Sequence, residues 1–480
     1  MSSFFRPCKK FKGSRGETDN LRHPPDGLQT NLQKEGAKET KLEIRSVRPI
    51  KWREQNFDGG TMPKVKHVSA KNGDVIVLVG TMKGAFVLRS NKSRKKWDVG
   101  GPYSIGSPVY AMAFDQRQGR RRLWWAQQSF QWGTVLCSSD DYGKTVTEPT
   151  TYSVKFPEES NLTLKNIWQI TPGRNNDPDT LYCGVEPAAL FESHDAGETW
   201  SPVEGLLNHP HRPKWVPGGG GMCLHTIVPD PANPKRMMIA ISTAGAYRTD
   251  DGGATWQARN NGVRAEFLPD KYPEFGQCVH KVVQDGSRPE RLFLQNHWGL
   301  YRSDDAGNSW TDIANGVPSD FGFCMAAHPH DPDTVYIVPI ESDQYRCTPE
   351  GKLRVYRTQN AGKSWEPLTR GLPQKNALET VLRDSLATDT CNPAGVYFGT
   401  RSGKVYGSSD DGKSWRAIIE GLPAVVCVKA AWVGDDGKNL PRRHRDTEKK
   451  SATSRAVKSR AVRKPKATRR KTASRARAAR

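Results

Sequence analysis

An all-β fold built from seven repeated units is predicted by three features of the 480-residue chain. One turn motif returns at a nearly fixed interval. Short apolar runs separated by Pro/Asp turns fill each interval. The last such run, Ala424 to Trp432, has the character of a first strand, whereas the earliest, Asp74 to Gly80, has that of a second. The closing strand can therefore complete the opening unit, and a ring forms without open edges.

The motif reads Ser/Thr, any residue, Asp, any residue, Gly, any residue, Ser/Thr, Trp. Full copies run from Ser193 to Trp200, Thr249 to Trp256, Ser303 to Trp310 and Ser408 to Trp415. The copy from Thr358 to Trp365 has Asn360 in place of the acid, and that from Ser139 to Val146 lacks the Trp. A decayed copy, Ser90 to Trp97, keeps its two ends. First residues are spaced 49, 54, 56, 54, 55 and 50 apart, so each copy marks one unit. The Asp carboxylate folds back onto backbone N–H groups of a tight turn. Gly supplies a positive φ, and Trp packs between neighbouring sheets. The motif is a folding device, and none of its residues is expected to be catalytic.

Each interval has room for four strands. Ala246 to Arg248 and Leu300 to Arg302 precede the turn. Arg236 to Ser242 and Arg291 to Gln295 precede those. Cys223 to Pro231 and Cys278 to Asp285 come first. The turns resemble the Asp-boxes, or BNR repeats, of sialidase-like β-propellers, where the box joins the third and fourth strands of a blade at the rim. The resemblance implies a β-propeller with Asp-box hairpins, and the seven motif copies make it a seven-bladed β-propeller over residues 74–434, closed by a C-terminal strand completing the first blade. Gly218 to Ile227 and Asn296 to Asp305 are similar to bacterial members labelled glycosyl hydrolase or exo-alpha-sialidase. The Arg-Ile-Pro motif of true sialidases is absent, and sialidases have six blades. Other propellers that look alike, photosystem-assembly factors and sortilin-like receptors, bind proteins or peptides.

Charge divides the chain in three. Residues 1–73 hold 16 basic and 8 acidic residues, 435–480 hold 18 and 4, and 74–434 hold 39 of each. A neutral body thus carries two basic ends, and it has no global field to hold a polyanion. The N-terminal extension, 1–73, is polar and aperiodic and reads as largely disordered; Met62 is a candidate start. The tail, 435–480, is rich in Lys, Arg and Ala, has no aromatic after Trp432, and reads as disordered, with nucleic acid as a possible non-specific partner. No run of 18 uncharged apolar residues occurs, so no membrane span is expected. Nine cysteines without C-x-x-C spacing suit reduced thiols in a cytoplasmic protein, and no cofactor or metal is expected. A monomer is expected.

Aligning the first strands on their Pro/Asp turns places Tyr110, Trp168, His225, His280, Met325 and Asp384 at one depth of the channel wall. A register shift by one would substitute Arg383 for Asp384. Second-to-third loops add Gln128, Glu186, His297, Glu341, Asp343 and Arg401. Blade six has an insertion, Glu341 to Leu353, that suits a lid. Glu341 and Asp384 are the expected catalytic carboxylates, and His225, His280, His297 and Arg401 the expected ligand-binding set. The bland alternative makes His225 and His280 satisfied core histidines. His209-Pro-His211 reads as a surface turn, Gly218 to Gly221 as a hinge or tight turn, and Glu266, Asp270 and Glu274 as solvated acids. Two functions fit: a scaffold binding a small polar ligand or a protein at the channel mouth, or a glycosidase-like hydrolase using paired carboxylates.

Overall fold

The computed structural model describes residues 64–129, 133–147, 153–285 and 287–434. Met62, the extension before residue 64 and the tail from 435 lie outside the described residues. The described strands form seven antiparallel sheets arranged as blades of a β-propeller. In blade one the order from the innermost strand outward is Val425–Trp432, Val75–Thr81, Gly84–Ser90 and Asp98–Tyr103. The closing register runs from Val75 opposite Trp432 to Thr81 opposite Val425, so the C-terminal strand completes the first blade as expected. Lys66 pairs with Gly101, and Val68 and Ala70 are buried between blades one and two. These residues, assigned by composition to the extension, pack as part of the body.

Alternation along each strand sends apolar side chains to both faces, and each face packs against a neighbouring blade. Between blades five and six, Phe293 and Leu300 meet Met325, Val335, Ile337 and Trp365. Between blades seven and one, Cys391, Tyr397 and Val405 meet Val77, Val79 and Leu88. That last cluster closes the ring with the same apolar chemistry as the others. No helix among the described residues is long and apolar enough to cross a membrane.

The recurrent turn joins the third strand to the fourth. In blade three, Thr199 N–H donates to Asp195 Oδ1 at 2.9 Å, and Gly197 N–H donates to Ser193 Oγ at 2.9 Å. Gly197 has φ +94°. The residue before the glycine is also left-handed, as in Ala196, Ala306, Ala361 and Asp411. A second repeated contact comes from the third strand. Arg248, Arg302 and Arg357 each reach into the following blade and donate to the carbonyl of that left-handed residue: Ala306 at 2.7 Å, Ala361 at 2.6 Å and Asp411 at 2.7 Å. The turn thus satisfies its own amides and receives an arginine from the blade before.

Candidate functional site

The innermost strands begin at one mouth of the channel, and there the ladders break. Pairing skips Tyr110 between Val109 and Met112, Trp168 between Ile167 and Gln169, His225 between Leu224 and Thr226, and His280 between Val279 and Lys281. A bulge re-aims the unpaired residue, so four expected positions share one structural cause. Blade six departs from the expected alignment. Its break spans Gly322 to Met325, and Met325 pairs with Ile337 and is buried in the inter-blade core. Phe323, within this break, is the ring that stands 4.8 Å from His280.

His225 and His280 are 2% and 1% exposed. Each ring reaches the next innermost strand: His225 Nε2 lies 2.9 Å from the Val279 carbonyl oxygen, and His280 Nδ1 lies 2.6 Å from that of Gly322. A carbonyl accepts only, so these nitrogens carry the proton. Burial pushes both imidazoles well below their ordinary range and keeps them neutral. The second nitrogen of His225 meets Thr226 Oγ1 at 3.0 Å, which completes a structural link between blades. His280 Nε2 instead faces Cys278 Sγ at 3.5 Å. His297 joins this group from the loop after the second strand. Its ring centroid is 5.5 Å from that of His280, and its Nε2 is 3.5 Å from Asp343 Oδ2. Cys278 was absent from the expected set, because its only sequence signal is a Cys-x-His pair at a strand start.

Asp384 lies deeper. It is buried between Lys281 Nζ and Lys429 Nζ, the latter 3.1 Å from Oδ2. Turned so that its nitrogen faces the acid, the Gln169 amide donates to Oδ2 at 2.6 Å. Burial alone would raise the carboxyl; the two ammonium groups outweigh it and hold Asp384 well below its ordinary value. This is an ion triad joining the innermost strands of three blades. Arg383 takes the outward position instead, with its guanidinium 5.3 Å over the Phe323 ring. Glu341 is exposed at the start of the insertion, tied by its backbone to Cys347 and Ser319. The structure therefore groups His280 with His297, makes His225 a link, and commits Asp384 to two lysines.

The opposite part of the mouth is aromatic. Tyr110 and Trp168, both half-buried, stand 4.9 Å apart at 49°. Trp168 Nε1 donates to Glu186 Oε2 at 3.0 Å. Burial pushes the Tyr110 hydroxyl up, while the Arg401 charge opposes this and the Glu186 charge adds to it. Gly221, at φ +81°, closes a tight turn with Gly218, and a Cβ on it would lie 2.5 Å from Glu186 Oε1. Gly221 thus lets the turn pass close to the Glu186 carboxylate. Gln128 reaches the Lys165 carbonyl at 3.4 Å.

Other candidates resolve into structure. His209 is buried with Nε2 3.1 Å from the Trp256 carbonyl, and His211 stacks on Phe275 at 4.1 Å, so this segment is a packed corner and not a surface turn. Its aromatic neighbours, distant in sequence, gave the turn reading no warning. Glu266 pairs with Arg264 and Lys271, and Asp270 and Glu274 are exposed. The insertion leans on the loop into blade seven, where Leu353 N–H donates to Pro373 at 3.0 Å, and Arg346 lies over Phe323.

No family model matches the chain. Over 266 residues, 48% of the chain, it is 24% identical to a probable oligoxyloglucan-reducing end-specific xyloglucanase of Neosartorya fischeri, covering 30% of that protein. Over 240 residues, 41% of the chain, it is 21% identical to the oligoxyloglucan-reducing end-specific xyloglucanase of Emericella nidulans, covering 28% of it. The chain thus spans less than a third of the length of these curated relatives. Among solved structures it is similar to an ancestral GH74 enzyme, at 17% identity and TM-score 0.45 over 65% of this chain and 39% of the other. A YCF48 protein bound to D1 peptide matches at 15% identity and TM-score 0.43, over 74% of this chain and 87% of that one.

Proposed function

We propose that the aromatic part of the mouth binds an oligosaccharide and that the protein is a glycosidase-like propeller of the Asp-box class. The observation that carries this is the Tyr110–Trp168 pair, with the indole fixed by Glu186. Sugar rings present apolar C–H faces that pack on aromatic plates, while their hydroxyls need a few well-placed polar partners. Glu186, bonded to the Trp168 indole, supplies one such partner beside the pair. The partial sequence likeness to xyloglucanases supports the same ligand class. Cleavage would need two carboxyl groups at the scissile bond. With Asp384 held by lysines and Asp343 turned to His297, Glu186 and Glu341 are the candidates on the second-to-third loops.

The test is calorimetric titration with a panel of xyloglucan-derived and other β-linked oligosaccharides, with product analysis. Wild-type protein is expected to bind at least one of them. Trp168→Ala should weaken that affinity by about tenfold, the equivalent of about 1.4 kcal/mol, at an unchanged melting temperature. A wild-type protein that binds no member of the panel, or a Trp168→Ala variant that binds as well, refutes the proposal.

A further inference from the structure

We propose that Cys278, His280 and His297 form a binding site for a borderline-soft divalent cation of the zinc class, independent of the oligosaccharide reading. One ligand atom from each residue lies within 4.8 Å of the other two. Zinc bonds of about 2.3 Å to sulfur and 2.0 Å to nitrogen, at a tetrahedral angle, separate S from N by about 3.5 Å. Cys278 Sγ and His280 Nε2 are 3.5 Å apart. The pair therefore already has the spacing that shared coordination requires.

The surroundings match what a metal site asks of its outer groups. His280 gives its Nδ1 proton to the Gly322 carbonyl, which fixes the tautomer and leaves the Nε2 lone pair facing the thiol. The Asp343 carboxylate stands 3.5 Å from His297 Nε2, as an orienting partner. Aromatic rings hold both imidazoles: Phe323 is 4.8 Å from His280, Phe321 is 4.9 Å from His297, and Trp298 is 4.2 Å from His297. The backbone adds rigidity, because His297 N–H donates to the Cys278 carbonyl at 3.0 Å. A Cys-His-His donor set suits zinc, cobalt or copper and not calcium or magnesium, which require oxygen.

The experiment titrates the reduced, metal-stripped full chain with Co²⁺ and follows the thiolate-to-cobalt charge-transfer band in the near ultraviolet. One equivalent should produce the band, and Zn²⁺ should bleach it. Cys278→Ser, nearly isosteric, should remove the band with an unchanged circular dichroism spectrum. His297→Ala, at a partly exposed position, should weaken Co²⁺ affinity by at least about tenfold. The chain has nine cysteines, so a band that survives Cys278→Ser belongs to another thiol and overturns the proposal. So does the absence of a band in the wild-type chain, which would leave the 3.5 Å contact as a thiol–imidazole hydrogen bond. Unchanged affinity in His297→Ala overturns the three-residue site. Each of these results leaves the oligosaccharide titration unaffected.

Discussion

At the scale of single residues, one peptide unit decides what a channel-lining side chain does. Arg383 and Asp384 are adjacent, yet one lies over Phe323 and the other sits between two lysines. A catalytic acid must be able to give up and regain a proton near the working pH. Asp384 cannot do so beside two ammonium groups that hold it ionised. Its replacement therefore tests structure and chemistry apart. Asp384→Asn leaves Lys281 and Lys429 facing each other in the channel with no counter-charge, and breaking a buried pair in this way costs about 3–5 kcal/mol. Lys429 keeps some solvent contact, which favours the lower end. Urea unfolding should show the loss directly. An Asp384→Asn variant of unchanged stability that had lost an activity would restore the acid to a catalytic role. The sequence carried these positions to within one residue in blade seven and two in blade six. The remaining error came from bulges, whose length is fixed by contacts between blades and leaves no mark in the alternation. The same cause moved Met325 into the core.

At the scale of elements, the turns were legible because their chemistry is local. A carboxylate, a hydroxyl and a glycine within seven residues satisfy one another whatever surrounds them, as Ser193, Asp195 and Gly197 do. The arginine contacts were not legible, although Tyr247-Arg248, Tyr301-Arg302 and Tyr356-Arg357 repeat in plain view. Their acceptors lie more than fifty residues away in the next blade. His280 and His297 were both in the expected ligand-binding set, but Cys278 was missed, since its only signal is a Cys-x-His pair at a strand start. Ring closure is the element whose loss should matter most. Val425–Trp432 forms the innermost strand of blade one and packs into the interface with blade seven. A chain ending at residue 423 would expose the edge of Val75–Thr81 and that apolar face together. It is expected to be insoluble or to melt without a cooperative transition, whereas a chain ending at 434 should melt like the full-length protein. Cooperative unfolding of the 423 truncation at the full-length temperature would show that the ring does not depend on its closing strand.

At the scale of the whole molecule, charge and fold are separable. The seven-bladed body was legible from period and closure, since a repeat unit cannot bury both faces alone and the count of copies sets the count of blades. What the body binds was not legible, because the mouth draws single residues from several blades and no spacing encodes their meeting. The excess charge lies elsewhere. Residues 441–480 hold 17 basic residues and two acids, while 74–434 are balanced. If the tail is a polyanion anchor, its contribution comes from counterion release, which has no sequence preference and falls steeply as salt rises. The full chain should then bind short DNA and RNA duplexes alike in a gel-shift series, and the logarithm of its affinity should decline linearly with that of salt concentration. The chain ending at residue 440 should show no retardation at low salt, while its oligosaccharide and Co²⁺ titrations stay as in the full-length protein, because those sites lie on the neutral body. Equal retardation of both chains would place the nucleic-acid contact on the propeller or its N-terminal extension. A full-length affinity indifferent to salt would rule out the electrostatic anchor altogether.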